Sequence, residues 1–151
     1  MTIYRLHRAG RATADYTRTE LYGGRWNPPG VPMLYATSSL SLACLEVLVH
    51  LDKTQFPADF VWSKTELELG HACLLTENPK EVDSTQSAGR AWIAENRQVA
   101  VRVPSVVVPE DQNILLNPTH KLYAGLTWQD PRPFEFDLRL FYFNEESDSV
   151  R

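Results

Sequence analysis

Gly23-Gly24-Arg25-Trp26-Asn27-Pro28-Pro29-Gly30, with Met33-Leu34-Tyr35-Ala36 and then Leu40-Ser41-Leu42-Ala43-Cys44-Leu45-Glu46-Val47-Leu48-Val49-His50-Leu51, is the stretch whose reading decides the fold. The paired glycines permit backbone angles closed to other residues. Asn-Pro-Pro-Gly is turn chemistry. Arg25 and Trp26 are therefore expected on a tightly held loop. Met33–Ala36 reads as a short apolar strand. Thr37-Ser38-Ser39 supplies side-chain acceptors for a helix N-cap, and the helix is predicted over Leu40–Leu51. It is apolar nearly all round and is expected to be mostly buried. Ser41, Glu46 and His50 are the exceptions, and Glu46 and His50, four apart, share a face.

Outward from this stretch the pattern stays irregular. Ile3–His7 reads as a strand and Arg8–Glu20 as polar and irregular. Phe60–Leu69 suits an extended strand, and Cys73-Leu74-Leu75 another short one. Ser84 or Thr85 is expected to cap a helix over Gln86–Asn96. Val99–Val108 is β-rich but broken at Pro104-Ser105, and Asn117-Pro118-Thr119-His120 is a turn. Phe134–Phe143 alternates as a strand should. Many short strands with two or three helices between them do not alternate as βαβ units. The expected fold is α+β, with a curved sheet that is mixed or mainly antiparallel. It forms one domain over residues 1–144, followed by a polar tail over 145–151.

A chain of 151 residues is the size of one domain and buries enough surface to fold without disulfides or metals. Its net charge of −4 argues against a broad nucleic-acid footprint, which needs clustered Lys and Arg. A local anion pocket needs only an arginine and some backbone N–H groups. Cys44 and Cys73 form no Cys-x-x-Cys pair, and Cys44 is expected in the core. The histidines at 7, 50, 71 and 120 show no metal-ligand spacing, so no metal is expected. The N-terminus lacks a signal-peptide hydrophobic region, and no apolar run reaches the roughly 18 residues of a membrane span. A cytoplasmic protein is expected.

Four residues can carry chemistry. Arg25 offers a rigid fork of donors suited to phosphate, or it holds loop carbonyls; the Gly-Lys-Ser/Thr ending of a P-loop is absent. Tyr35 is either a core aromatic or a stacking face for a planar ring. Glu46 is the sharper clue, because a carboxylate in an apolar helix is costly to bury unless paired or hydrogen-bonded. Either it pairs structurally, with an arginine or His50, or it lines a cleft. Ser105 is a turn or bulge residue or a site residue, and no Gly-x-Ser-x-Gly elbow surrounds it.

These segments, with Leu34-Tyr35-Ala36-Thr37-Ser38, Val103-Pro104-Ser105-Val106-Val107-Val108-Pro109 and Leu115-Leu116-Asn117-Pro118-Thr119-His120, together resemble the RES domain. That family is named for an arginine, a glutamate and a serine, here Arg25, Glu46 and Ser105. The likeness runs from Tyr4-Arg5 to Phe136-Asp137-Leu138-Arg139-Leu140, almost the whole chain. The resemblance implies a fold similar to ADP-ribosyltransferases and a toxin of a type II toxin–antitoxin pair. It implies NAD⁺ as substrate, cleaved with water or phosphate as acceptor, and no cofactor. It implies Arg25, Tyr35, Glu46 and Ser105 as site residues, with Arg25, Tyr35 and Ser105 holding NAD⁺. The expected partners are an antitoxin with an Xre-type helix-turn-helix region and a second copy of the chain, with no direct nucleic-acid contact.

The implied chemistry suits one carboxylate. Breaking the nicotinamide–ribose bond releases a neutral leaving group from a cationic one, so no general acid is needed, unlike ordinary glycoside hydrolysis with its two carboxylates. Two other readings stand beside it. One is transfer of ADP-ribose to a cellular protein. The other is a non-catalytic nucleotide- or nucleic-acid-binding module, which the aromatics could serve by stacking but which the acidic charge opposes.

Overall fold

A computed structural model describes residues 1–70, 73–74 and 76–142. Six strands make one sheet in the order β4-β5-β2-β1-β3-β6. They are β1 (Thr2–Arg8), β2 (Leu34–Thr37), β3 (Phe60–Glu66), β4 (Ala100–Pro104), β5 (Gln112–Leu116) and β6 (Arg132–Phe134). Every pairing between them is antiparallel, and a lone parallel bridge joins Cys73 to Arg102. Three helices accompany the sheet: α1 (Thr17–Tyr22), α2 (Leu40–Leu48) and α3 (Val82–Glu95). The α+β class and the mainly antiparallel sheet are as the sequence predicts. The expected tail over 145–151 lies outside the described residues.

The sheet has two halves, β4-β5-β2 and β1-β3-β6, which meet at the single register pair Tyr4↔Thr37. Both residues line the main cleft. Directly opposed residues of an antiparallel sheet share a face. The row Val103–Asn113–Thr37–Tyr4–Lys64 therefore projects from one side, with Val101–Leu115–Tyr35 beside it. A one-residue slip of β5 would send Asn113 to the opposite face. The edge strands β4 and β6 carry Pro104 and Pro133, and proline is tolerated in a sheet chiefly at such edges.

Alternation along β5 divides the core. Ile114 and Leu116 pack with Ile3, Leu34, Ala36 and Ala100 on one face. Leu115 packs on the other with Trp26, Met33, Trp92, Ile93, Val101 and Val103. A third cluster joins α2, through Ala43 and Leu48, to Leu6, Phe60, Phe136 and Phe141. Phe136 meets Phe60, Phe134 and Phe141 at 4.8–5.8 Å, each pair near perpendicular, the edge-to-face geometry that aromatic quadrupoles favour.

Several expectations need correction. The end of the segment expected to be irregular is helical, as α1, where Asp15 Oδ1 accepts from the Thr17 N–H at 2.9 Å. Helix α2 stops at Leu48 and continues to Leu51 only as tightened turns, with the His50 and Leu51 N–H groups bonding three residues back. It is not buried all round: Leu45 and Val49 are 41% and 51% exposed, because only one side meets the sheet. Strand β3 ends at Glu66, short of Leu69. Helix α3 begins at Val82, with neither Ser84 nor Thr85 as its cap; Thr85 is a fully buried first-turn residue. The alternation over Phe134–Phe143 yields a strand only to Phe134. Asp137 Oδ1 accepts from the Arg139 N–H at 2.9 Å and starts a 3₁₀ turn, Leu138–Leu140, an Asx-turn overriding hydrophobic period. Leu75 and Phe143 lie outside the described residues. Strand β5 has no counterpart in the sequence reading.

Helix α3 crosses the Arg25 loop so closely that a Cβ on Gly89 would lie 1.7 Å from the Trp26 carbonyl oxygen. In an open helix Gly→Ala gains about 1 kcal/mol. Here the obstacle is backbone, which cannot rotate away. Gly89→Ala is expected to destabilise by at least about 1–3 kcal/mol, read as a lowered denaturant midpoint in chemical unfolding.

Candidate active site

The loop after α1 is built by backbone chemistry. Gly23 has φ +74°, a left-handed conformation suited to glycine. A Cβ on Gly24 would lie 2.7 Å from the Tyr35 hydroxyl, so only glycine admits that approach. The Tyr35 hydroxyl accepts from the Trp26 N–H at 2.9 Å and donates to Asn27 Oδ1 at 2.6 Å. Buried Asn27 in turn donates to the carbonyls of Thr19 and Val31 at 2.9 and 2.8 Å. Helix α3 holds the loop from the other side. Gln86 Nε2 donates to the Gly24 carbonyl at 2.9 Å and Thr85 Oγ1 to the Arg25 carbonyl. Trp26, 2% exposed, is the loop's core anchor.

The cleft beside this loop has a volume of about 1030 Å³, enough for a dinucleotide-sized ligand. Arg25, Tyr35 and Glu46 all line it, so three of the four predicted residues share one wall system. Arg5 and Arg18 line it too, and Glu46 is its only carboxylate among the described residues. A chain of net charge −4 thus gathers three arginines around one acid, a local field that attracts anions. Arg25 is half-buried, and its Nη1 reaches the carbonyls of Pro79 and Lys80 only at 3.4 Å, beyond the usual range. Among the described residues it makes no ion pair. Arg5 is different: its guanidinium donates to the Thr13 carbonyl, and burial lowers its pKa to about 10. Arg18 is exposed and lies 5.9 Å from the centre of the Tyr22 ring. Burial pushes the Tyr35 phenol pKa well up, so its hydroxyl stays neutral and holds the loop while the residue walls the cleft.

Among the described residues Glu46 pairs with neither an arginine nor His50. Its Oε1 accepts from Ser105 Oγ and from Asn113 Nδ2, both at 2.7 Å. Nothing among the described residues hydrogen-bonds Oε2. His50 is exposed and lines the same cleft from α2.

Ser105 is 2% exposed and is not part of the cleft wall. Its hydroxyl donates to Glu46 and accepts from the N–H groups of Val107 and Val108 at 3.1 and 3.0 Å. One donor and two acceptor positions exhaust a serine hydroxyl, leaving none for a ligand. The structure places Ser105 behind Glu46, where its hydroxyl holds the carboxylate. Its turn role is equally real, since the bonds to Val107 and Val108 shape the β4–β5 connection.

Sequence reasoning missed Arg5, Arg18 and Asn113. The two arginines carry no local signal. Asn113 has a weak one, a polar residue at the head of an apolar run, of the kind that exposed Glu46. Among the described residues no three of His, Cys, Asp and Glu cluster as metal ligands, and no helix is long and apolar enough to cross a membrane.

Comparisons with known proteins bear on the family and the fold. The model of the RES domain matches residues 2–137. The Toxin Res of Yersinia enterocolitica is 33% identical over 93% of this chain and 99% of its own length. The Prs ADP-ribosylating toxin of a Sphingobium species is 35% identical over 80% of this chain and 82% of its own. Among solved structures, a chain of the M. tuberculosis MbcT–MbcA toxin–antitoxin complex superposes with a TM-score of 0.67. It is 18% identical and covers 89% of this chain and 84% of its own, a likeness of fold.

Proposed function

We propose that this chain, which belongs to the RES-domain family, is the toxin of a toxin–antitoxin pair and cleaves the nicotinamide–ribose bond of NAD⁺. The observation that carries the reading is Glu46: among the described residues, the single carboxylate of an arginine-lined cleft, anchored through Oε1 and with no protein donor on Oε2. Glu46 Oε2 accepts from a hydroxyl of the nicotinamide ribose. Its negative charge stabilises the oxocarbenium-like transition state. Arg25 binds the pyrophosphate, and Tyr35 supplies a face that fixes the pose of nicotinamide or its ribose. The C1″–N bond breaks with its electron pair passing to the nicotinamide nitrogen, which leaves neutral. Water or inorganic phosphate attacks C1″, the water losing its proton to solvent, to give ADP-ribose or its 1″-phosphate. No cofactor takes part.

The relatives named Toxin Res support the toxin assignment, and the M. tuberculosis complex supports an antitoxin as partner. An antitoxin with an Xre-type helix-turn-helix region and a homodimeric toxin complete the reading. A second acceptor has support of its own, because the Sphingobium relative is an ADP-ribosylating toxin. Purified protein incubated with labelled NAD⁺, with and without phosphate and cell lysate, tests these together. Release of nicotinamide with free ADP-ribose or its phosphate supports degradation. A labelled protein band supports transfer. Intact NAD⁺ in every arm refutes the reading.

A further inference from the structure

We propose that Asn113 is a positioning residue for Glu46, setting which carboxylate oxygen faces the substrate; the inference rests on reading the cleft as an NAD⁺-cleaving site. Asn113 sits in the second strand from the edge of the sheet, opposite Val103 of β4 and Thr37 of β2, and it lines the cleft. Its Nδ2 lies 2.7 Å from Glu46 Oε1. A carboxylate oxygen only accepts, so chemistry dictates that the amide nitrogen points to it. That orientation leaves Asn113 Oδ1 buried with no hydrogen-bond partner among the described residues. A buried amide oxygen serving only the fold is expected to find a partner. Here the charge-assisted bond to Glu46, stronger than a neutral one, has decided the amide's orientation at the expense of Oδ1.

The consequence for Glu46 is geometric. A glutamate on a helix rotates about three side-chain bonds, and one hydrogen bond leaves the carboxylate free to swing about the bonded oxygen. Ser105 and Asn113 approach the same oxygen from different segments, the turn after β4 and the strand β5. Two donors on Oε1 fix the plane of the group and leave Oε2 as the oxygen presented to the ribose. Ser105 is fixed in turn by two backbone N–H groups. Asn113 is fixed by its ladder on both sides. The reacting group is thereby held by rigid elements.

The test compares Asn113→Ala and Asn113→Asp with the wild type in steady-state NAD⁺ turnover, with thermal unfolding of each protein recorded alongside. A residue acting through Glu46 on the transition state affects kcat far more than KM. Asn113→Ala is expected to lower kcat by about tenfold or more, with KM within about twofold. Asn113→Asp keeps the shape but sets an acceptor against Oε1, so it is expected to lower kcat further than alanine does. A packing role predicts the reverse order, with the isosteric aspartate milder than alanine. Wild-type turnover with kcat within about threefold in folded Asn113→Ala, or more activity in Asn113→Asp than in Asn113→Ala, overturns this inference and leaves the NAD⁺ reading standing. No turnover by the wild type overturns both. If the alanine variant fails to fold, the aspartate variant decides: unchanged kcat in it refutes the inference, and lost kcat with retained KM supports it.

Discussion

Replacing Glu46 by glutamine is expected to reduce NAD⁺ turnover by about 10²–10³-fold, the scale of removing one group that stabilises transition-state charge. The substitution is nearly isosteric. A glutamine carbonyl oxygen can accept from Ser105 and Asn113 as Oε1 does, so the anchoring is preserved. What changes is the other position, where a neutral amide donor replaces the carboxylate oxygen facing the cleft. The developing positive charge on the ribose then loses its counter-charge, and the ribose hydroxyl loses its acceptor. NAD⁺ affinity is expected to change little, because the pyrophosphate contact assigned to Arg25 is untouched. Thermal unfolding is expected to match the wild type, since a half-buried charge is removed and no hydrogen-bonding group behind it is orphaned. Turnover within a few-fold of wild type would remove Glu46 from the proposed chemistry.

Trp26→Ala is the second large effect, and it falls on stability. The indole is among the largest fully buried side chains and fills the space between β2, α3, β4 and β5. Truncating a buried tryptophan or phenylalanine to alanine costs about 3–5 kcal/mol. For a domain of this size that corresponds to a fall in melting temperature on the order of 10 °C. The loss has a functional side. Trp26 is the neighbour of Arg25, and its side chain is what fastens the loop to the core. At temperatures where the variant remains folded, KM for NAD⁺ is expected to rise through looser placement of the guanidinium, with a smaller effect on kcat. Trp26→Phe, retaining most of the volume, is expected to fall between the two. A melting temperature unchanged in Trp26→Ala would mean the loop is held by its polar bonds to Tyr35, Asn27, Thr85 and Gln86 alone.

The sequence by itself determined a good deal. Its irregular succession of short strands and helices set the α+β class. Ser39 caps α2 as the Thr-Ser-Ser run predicts, with its Oγ accepting from the Leu42 N–H at 3.1 Å. The ordered segments around Arg25, Glu46 and Ser105 identified the family. A lone carboxylate in an apolar helix pointed to the cleft that Glu46 lines, because the cost of burying charge is legible wherever an acid interrupts an apolar run. What failed locally failed for a physical reason. The alternation at Phe134–Phe143 was overridden by an Asx-turn at Asp137, and the apolar wrap of α2 concealed that only one face meets the sheet.

Only the tertiary structure decided what those residues touch. Ser105 is 59 positions from Glu46 and Asn113 is 67. Neither spacing carries periodic information, because the antiparallel register of β4, β5 and β2, rather than any local pattern, brings them together. Register also places Asn113, Thr37 and Tyr4 in one row across the seam between the half-sheets, where the cleft lies. The sequence supplied the acid and the cation. The sheet decided which oxygen of the acid is held, because hydrogen bonds between distant strands depend on alignments that no single segment records.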